Sequence, residues 1–171
     1  MKKQLTTVII FEEIEIGLKP TNKLVCKLIE LFFGTVHSIN VGDYSREQLN
    51  IWAPEVINRE KWMERINDNY LVMAKDGNKI VGFGELTSEG CVDMLYVHKD
   101  YLVQKIGQQL LGYITKKALK LGIDEIFVDA SVIARPFFEK SGFDMIKKRV
   151  KKLNGNDFIV FRMNKRIIGP G

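Results

Sequence analysis

The sequence is short of the residues that hold metals and staple small folds. In 171 residues there are two cysteines, Cys26 and Cys91, and two histidines. The cysteines stand far apart at no metal-ligand spacing, so no metal site is expected, and a reducing compartment would leave both as free thiols. Only four prolines occur, and no repeat, low-complexity stretch or linker divides the chain. No apolar run approaches the roughly 20 residues that a membrane-spanning helix needs. The basic start Met1-Lys2-Lys3 leads only to the short apolar run Val8 to Phe11 before Glu12 and Glu13, which is too little for a signal peptide. These absences lead us to expect a cytoplasmic protein with no membrane partner.

What is present is a globular composition, with 46% hydrophobic and 27% charged residues. The length suits a single domain over residues 1–171. The net charge of +5 raises the question of a nucleic-acid partner. Two features weigh against one. Acidic residues are interspersed along most of the chain, and the dense basic run Lys147 to Lys152 lacks the interleaved aromatics of a single-strand binder. A solvated strand, or attraction of an anionic cofactor, is the better reading of that run.

Residues Ile14 to Leu18 alternate and stop at Lys19-Pro20, which predicts a short first strand. Thr21 and Asn22 can cap a helix carrying Leu24, Val25, Leu28, Ile29, Leu31 and Phe32 at helical spacing. Ser45 and Gln48 form a capping-box pattern for a short helix ending before Pro54, and Trp62, Met63 and Ile66 suggest another. After Asn69 the pattern changes. Tyr70 to Ala74 and Lys79 to Leu86 flank the turn "DGN" as a hairpin, and "CVDMLYV" is a further strand. A helix with Leu110, Leu111, Ile114, Ala118 and Leu121 on one face closes at Gly122. Glu125 to Ala130 reads as a buried strand, Ala134 to Lys140 as a short helix stopped by Gly142, and two strands around "NGND" finish the chain. This is a mixed α/β (α+β) order with a strand-loop-helix unit in the middle.

That unit, "YLVQKIGQQLL", raises a functional question. A helix start offers unpaired N–H groups and a positive dipole end to an anion. Here the amides would belong to Ile106, Gly107, Gln108 and Gln109, and glycine at 107 permits both close approach and unusual dihedral angles. Alone, the stretch fits a plain strand-to-helix connection equally well.

A second stretch gives it context. "LYVHKDYLVQKIGQQLL" followed by "VDASVIARPFFEKSGF" resembles the GNAT family of acyl-CoA-dependent N-acetyltransferases. Gln104 and Gly107 match that family's phosphate loop. Ala134, Phe137, Glu139, Lys140, Gly142 and Phe143 match its later Asn-x-x-Ala-x-x-Phe-Tyr-Glu-Lys-x-Gly-Phe segment. The resemblance, and a similarity to a bacterial branch of unassigned substrate, imply a mostly antiparallel sheet of about six to seven strands flanked by helices. Two neighbouring strands would splay to hold acetyl-CoA, with residues 70–166 as the acyl-CoA-binding core and residues 1–69 on the acceptor side. They further imply that the backbone at Leu95, Tyr96 and Val97 holds the pantetheine arm and that Gln104 to Gln109, with Lys105, hold the pyrophosphate. An amine of a small molecule or a protein would attack the thioester directly, without a covalent enzyme intermediate, and a strand amide would stabilise the developing oxyanion.

The sequence departs from the family pattern in ways that matter. Val103 and Lys105 stand where glycines are common, and Gln109 where glycine or alanine is usual. Ser131 replaces the usual asparagine and could cap the following helix. Phe138 stands where a tyrosine usually protonates the leaving thiolate, which leaves Tyr96 as a substitute hydroxyl and a CoA-binding module with weak or no catalysis as an alternative. Cys91 occupies the position of the base glutamate of some members. In a regular strand Asp93 would share its face, which makes Asp93 the first general-base candidate and Glu85 the second; Asp93 could equally bond a loop backbone. On the acceptor side, His37, Asp43, Tyr44 and Trp52 offer an imidazole, a carboxylate and two aromatic faces for a cationic amine, although Trp52 also suits the core and Asp43 a turn. Exposed strand edges would allow a homodimer.

Overall fold

The computed structural model describes residues 8–39 and 42–168. Asn40 and Val41, in the predicted "HSINVGDYS" acceptor loop, lie outside the described residues. The chain forms β1 (Ile9–Ile14), α1 (Asn22–Ile39), α2 (Arg46–Trp52), α3 (Arg59–Asp68), β2 (Tyr70–Asp76), β3 (Lys79–Leu86) and β4 (Val92–Val97). A 3-10 turn over Lys99–Gln104 leads into α4 (Ile106–Lys120), followed by β5 (Glu125–Ser131), α5 (Arg135–Lys140), β6 (Asp144–Leu153) and β7 (Asn156–Arg166).

Local chemistry accounts for most of these boundaries. The Thr21 Oγ1 accepts from the Leu24 N–H at 3.2 Å and opens α1. Ser45 and Gln48 make both halves of the capping box, at 3.1 and 2.9 Å, and open α2. The Asn58 Oδ1 accepts from the Lys61 N–H at the start of α3. The first strand differs from the sequence reading, because β1 spans Ile9–Ile14 and pairs antiparallel with β2 from Ile9↔Asp76 to Ile14↔Leu71. Of the predicted segment Ile14 to Leu18, Ile14 ends β1, and the rest forms an exposed turn where Gly17 takes a left-handed φ of 86°.

Among the described residues the strands form two antiparallel sheets, β1-β2-β3-β4 and β5-β7-β6. They meet at the parallel bridge Cys91↔Phe127, where the Phe127 N–H donates to the Gly90 carbonyl at 3.0 Å. Beyond that point β4 and β5 have no ladder and diverge.

Two cores lie on opposite faces of the first sheet. Val25, Leu28, Phe32, Trp62, Ile66, Met73 and Phe83 pack under α1 to α3, whereas Val72, Val81, Ile106, Leu110 and Ile114 pack under α4 and continue to β5. The seating of α4 depends on Gly82 and Gly84 in β3. A Cβ on Gly82 would stand 3.1 Å from Ile106 and Leu110, and one on Gly84 would stand 2.7 Å from Ile114. Glycine there draws the helix onto the sheet and brings its N-terminus to the gap between β4 and β5.

Candidate functional site

The gap is a cleft of about 400 Å³. Val92, Asp93, Leu95, Tyr96 and Val97 of β4 line one wall, and Val128 to Ser131 of β5 line the other. Lys105, Gly107 and Gln108 lie at one end, with Phe137 and Phe138 of α5, while Thr35 and Trp52 come from the helices of the other core. Since β4 is paired only with β3 along Leu95, Tyr96 and Val97, its other backbone edge faces the cleft and can take an extended amide chain as a further strand would.

The phosphate-loop reading is sharpened at two positions. The left-handed residue is Lys105, at φ 56° and ψ 21°, and not Gly107. Gly107 instead supplies space: a Cβ there would stand 3.2 Å from Phe137 Cε2. Furthermore, the Gln109 N–H donates to the Lys105 carbonyl at 3.1 Å, the first bond inside α4. It is therefore spent, and the free amides at the helix start are those of Ile106, Gly107 and Gln108. Although the Ile106 side chain is fully buried, its N–H still belongs to this first turn. Gln104 ends the 3-10 turn, is exposed, and does not line the cleft. The left-handed turn at Lys105 bends the chain from that 3-10 turn into α4 and puts an ammonium-bearing side chain beside the amides. An anion placed there meets hydrogen-bond donors, the helix dipole and a cation together.

At the other end lies a charged cluster that the sequence did not reveal. The register of β3 and β4 shifts so that Glu85 opposes Met94 and Leu86 opposes Val92, leaving Asp93 as the extra residue of a β-bulge. The bulge breaks the alternation assumed for a regular strand and re-aims Asp93. Its carboxylate pairs with Arg65 Nη2 from α3. Arg65 Nε also donates to both oxygens of Glu85 at 2.9 Å, and Asn69 Nδ2 donates to Glu85 Oε1 at 2.9 Å.

Glu85 is 1% exposed and does not line the cleft; it anchors Arg65, which in turn holds Asp93 at the cleft wall. Burial pushes the Glu85 carboxyl above its ordinary range, against the pull of Arg65. Burial disfavours the Arg65 guanidinium, but Glu85 and Asp93 outweigh it and hold it firmly protonated. Asp93 is the member of this cluster that lines the cleft, and its carboxylate is suited to an ammonium group.

Tyr96 reaches the cleft between Phe32, at 5.1 Å edge-on, and Phe83, at 5.7 Å. Burial raises its phenol well above the ordinary value, so it stands as a protonated hydroxyl. Phe138 is 4% exposed, packs edge-on against Phe137 and Phe143, and turns an apolar surface to the cleft where a hydroxyl was sought. Ser131 lines the cleft, and its Oγ accepts from the Ala134 N–H at 3.1 Å in the turn before α5; the N-cap of that helix is Ala134, so Ser131 braces the turn and is not the helix cap expected of it.

Cys91 sits at the point where the strands part, and burial pushes its thiol up to about 12, so it is no nucleophile at neutral pH.

The four acceptor-side residues separate. Trp52 lines the cleft and packs edge-on against Tyr44 at 5.3 Å. Tyr44 stands behind it, its hydroxyl accepting from the Val132 N–H at 3.4 Å. His37 is taken up by structure, with Nε2 2.8 Å from the Ala53 carbonyl and its ring against Phe33. Asp43 is exposed and away from the cleft lining.

Thr35 of α1, which the sequence pattern did not single out, also lines the cleft. The basic run Lys147 to Lys152 lies on exposed β6 and does not itself line the cleft, although Arg149 Nη1 reaches Asp129 of the β5 wall at 3.5 Å. Among the described residues no helix is long and apolar enough to cross a membrane.

Comparison with known proteins gives a consistent picture. Residues 40–169 match the family model described as an acetyltransferase (GNAT) domain. The chain is 30% identical over 137 residues to the uncharacterized N-acetyltransferase YafP of Escherichia coli (strain K12), covering 80% of this chain and 86% of that protein. Among solved structures it is similar to a GCN5-related N-acetyltransferase from Rhodopseudomonas palustris, with a TM-score of 0.84, 26% identity and coverage of 92% and 94% of the two chains. It is also similar to the PaiA N-acetyltransferase of Thermoplasma acidophilum in complex with coenzyme A, with a TM-score of 0.70, 26% identity and coverage of 91% and 98%.

Proposed function

The chain belongs to the GNAT acetyltransferase family, and from that premise we propose that it moves an acetyl group from acetyl-CoA to a primary amine of a small molecule or protein by direct transfer in the cleft between β4 and β5. The observation that carries this reading is the arrangement of the cleft. An anion-binding helix start lies at one end, an unpaired strand edge runs along one wall, and the Asp93 carboxylate, held by Arg65, stands at the wall beyond it.

The residues divide the work. Lys105 and the amides of Ile106, Gly107 and Gln108 hold the pyrophosphate. The free edge of β4 at Leu95, Tyr96 and Val97 aligns the pantetheine arm, and Phe138 and Ser131 close the opposite wall. Asp93, fixed by Arg65, attracts the ammonium form of the acceptor and takes one proton to leave the neutral amine. The N–C bond then forms as the C–S bond breaks, the sulfur keeps the electron pair, and the second proton, lost from the acylated nitrogen, passes to solvent or to the departing thiolate. Because an unperturbed thiol titrates near about 8.5, a thiolate can leave without a dedicated acid; Tyr96 is the hydroxyl on the cleft wall able to supply a proton. Trp52 gives the acceptor an aromatic surface.

Incubation with acetyl-CoA and a panel of amines, followed by free-thiol release and mass spectrometry of the products, tests the proposal. Amine-dependent thiol release with an acetylated product is expected. Inertness towards every amine, with acetyl-CoA still bound, would favour the second reading suggested by Phe138, a CoA-binding module with weak or no catalysis.

A further inference from the structure

Thr35 lies within α1 and is 7% exposed, and its Oγ1 is buried. A threonine inside a helix ordinarily satisfies its hydroxyl on the carbonyl four residues back. Thr115 does this in α4, donating to the Leu111 carbonyl at 2.8 Å. The Thr35 hydroxyl does not, and among the described residues it is the one buried side-chain nitrogen or oxygen with no hydrogen-bond partner. Leaving such a group unpaired is costly. A hydrophobic residue of the same shape would avoid that cost.

Its position suggests what the hydroxyl serves. Phe32 precedes Thr35 by three residues and so shares its helix face, and Phe32 packs edge-on against Tyr96 at 5.1 Å. That face of α1 therefore lies over β4, and Thr35 lines the cleft with Asp93, Tyr96 and Trp52. Of these three lining residues Tyr96 and Trp52 are aromatic and Asp93 carries a carboxylate. We infer that Thr35 is a specificity-determining residue: it hydrogen-bonds a hydroxyl or carbonyl close to the amine nitrogen, so that the acceptors are primary amines carrying such a group. The inference rests on the acetyl-transfer reading. A hydroxyl both donates and accepts, so either kind of polar group suffices, whereas a methyl group in its place leaves Thr35 unpaired in the complex.

The test uses amine pairs that differ only in hydroxyl for methyl, namely 2-aminoethanol against propylamine and 2-amino-1-phenylethanol against 2-phenylpropylamine. Wild-type kcat/KM should favour the hydroxyl member by about 5- to 10-fold, the worth of one neutral hydrogen bond. Thr35→Val should abolish that preference, leave the KM for acetyl-CoA unchanged, and melt no lower than wild type, because it removes an unpaired buried hydroxyl. Thr35→Ser should retain the preference. An unchanged preference in Thr35→Val, or a wild-type enzyme that prefers the methyl members, overturns the inference while leaving the transfer reading intact. Wild-type inertness towards all four amines and the wider panel overturns both.

Discussion

Replacing Arg65 with methionine removes the centre of the charged cluster while keeping much of the side chain's apolar bulk. Glu85, 1% exposed, would then lose both of its 2.9 Å contacts with the guanidinium and keep only Asn69. Breaking a buried pair by removing one partner costs about 3–5 kcal/mol. Arg65 is 30% exposed at its side chain, so water and salt share its field, and about 2–4 kcal/mol is the better expectation.

The loss should depend on pH. Burial already raises the folded-state carboxyl of Glu85 against the pull of Arg65, and Arg65→Met removes the opposing pull. A carboxyl raised on folding contributes stability below its unfolded value, near about 4.3, and loses it as pH climbs towards the folded value. The penalty of Arg65→Met should therefore be smaller near about pH 5 than near about pH 8. Urea denaturation at the two pH values measures this, and adding Glu85→Gln to Arg65→Met should recover stability at the higher pH. A penalty that is the same at both pH values, or no recovery in the double variant, would refute the reasoning.

Phe138→Tyr places a hydroxyl on the cleft wall; if protonation of the leaving sulfur limits turnover, kcat should rise by about 10-fold or more, within the usual range for acid catalysis, with little change in the KM for acetyl-CoA. An unchanged kcat would assign the proton to Tyr96 or to solvent. Lys105→Gly relieves a left-handed residue and should raise stability by about 1 kcal/mol, while removal of the ammonium weakens acetyl-CoA binding, most visibly at low salt. Thermal melts of the free protein and KM at two ionic strengths separate the two effects.

Much of the frame was legible because it is local. The capping box at Ser45 and Gln48, the cap at Thr21, the "DGN" hairpin and the glycine ends of α4 and α5 are each written within a few residues. The cleft was legible through the pairing of two motifs, and the structure brings Lys105, Gly107, Gln108, Ser131 and Phe138 to its walls. What escaped depends on distant partners. The place of β1 is fixed by pairing with β2, more than fifty residues away in sequence, and short alternation alone selected the wrong segment. The bulge that turns Asp93 towards Arg65 exists only against β3. A left-handed lysine has no sequence signature, whereas Gly107, two residues on, is the position whose residue type permits such a dihedral. The unpaired hydroxyl of Thr35 follows from what surrounds it, and nothing in its own segment marks it.

The central claim is that the cleft where β4 parts from β5 holds acetyl-CoA, with its pyrophosphate on the start of α4. Titration calorimetry with acetyl-CoA on wild type and Gly107→Val tests it most directly, because a Cβ at 107 meets Phe137 at 3.2 Å in the middle of that cradle. One-site binding by the wild type, weakened about tenfold or more in a variant that still folds, is the predicted result. Absence of binding to wild type, or equal affinity in the two proteins, would contradict it.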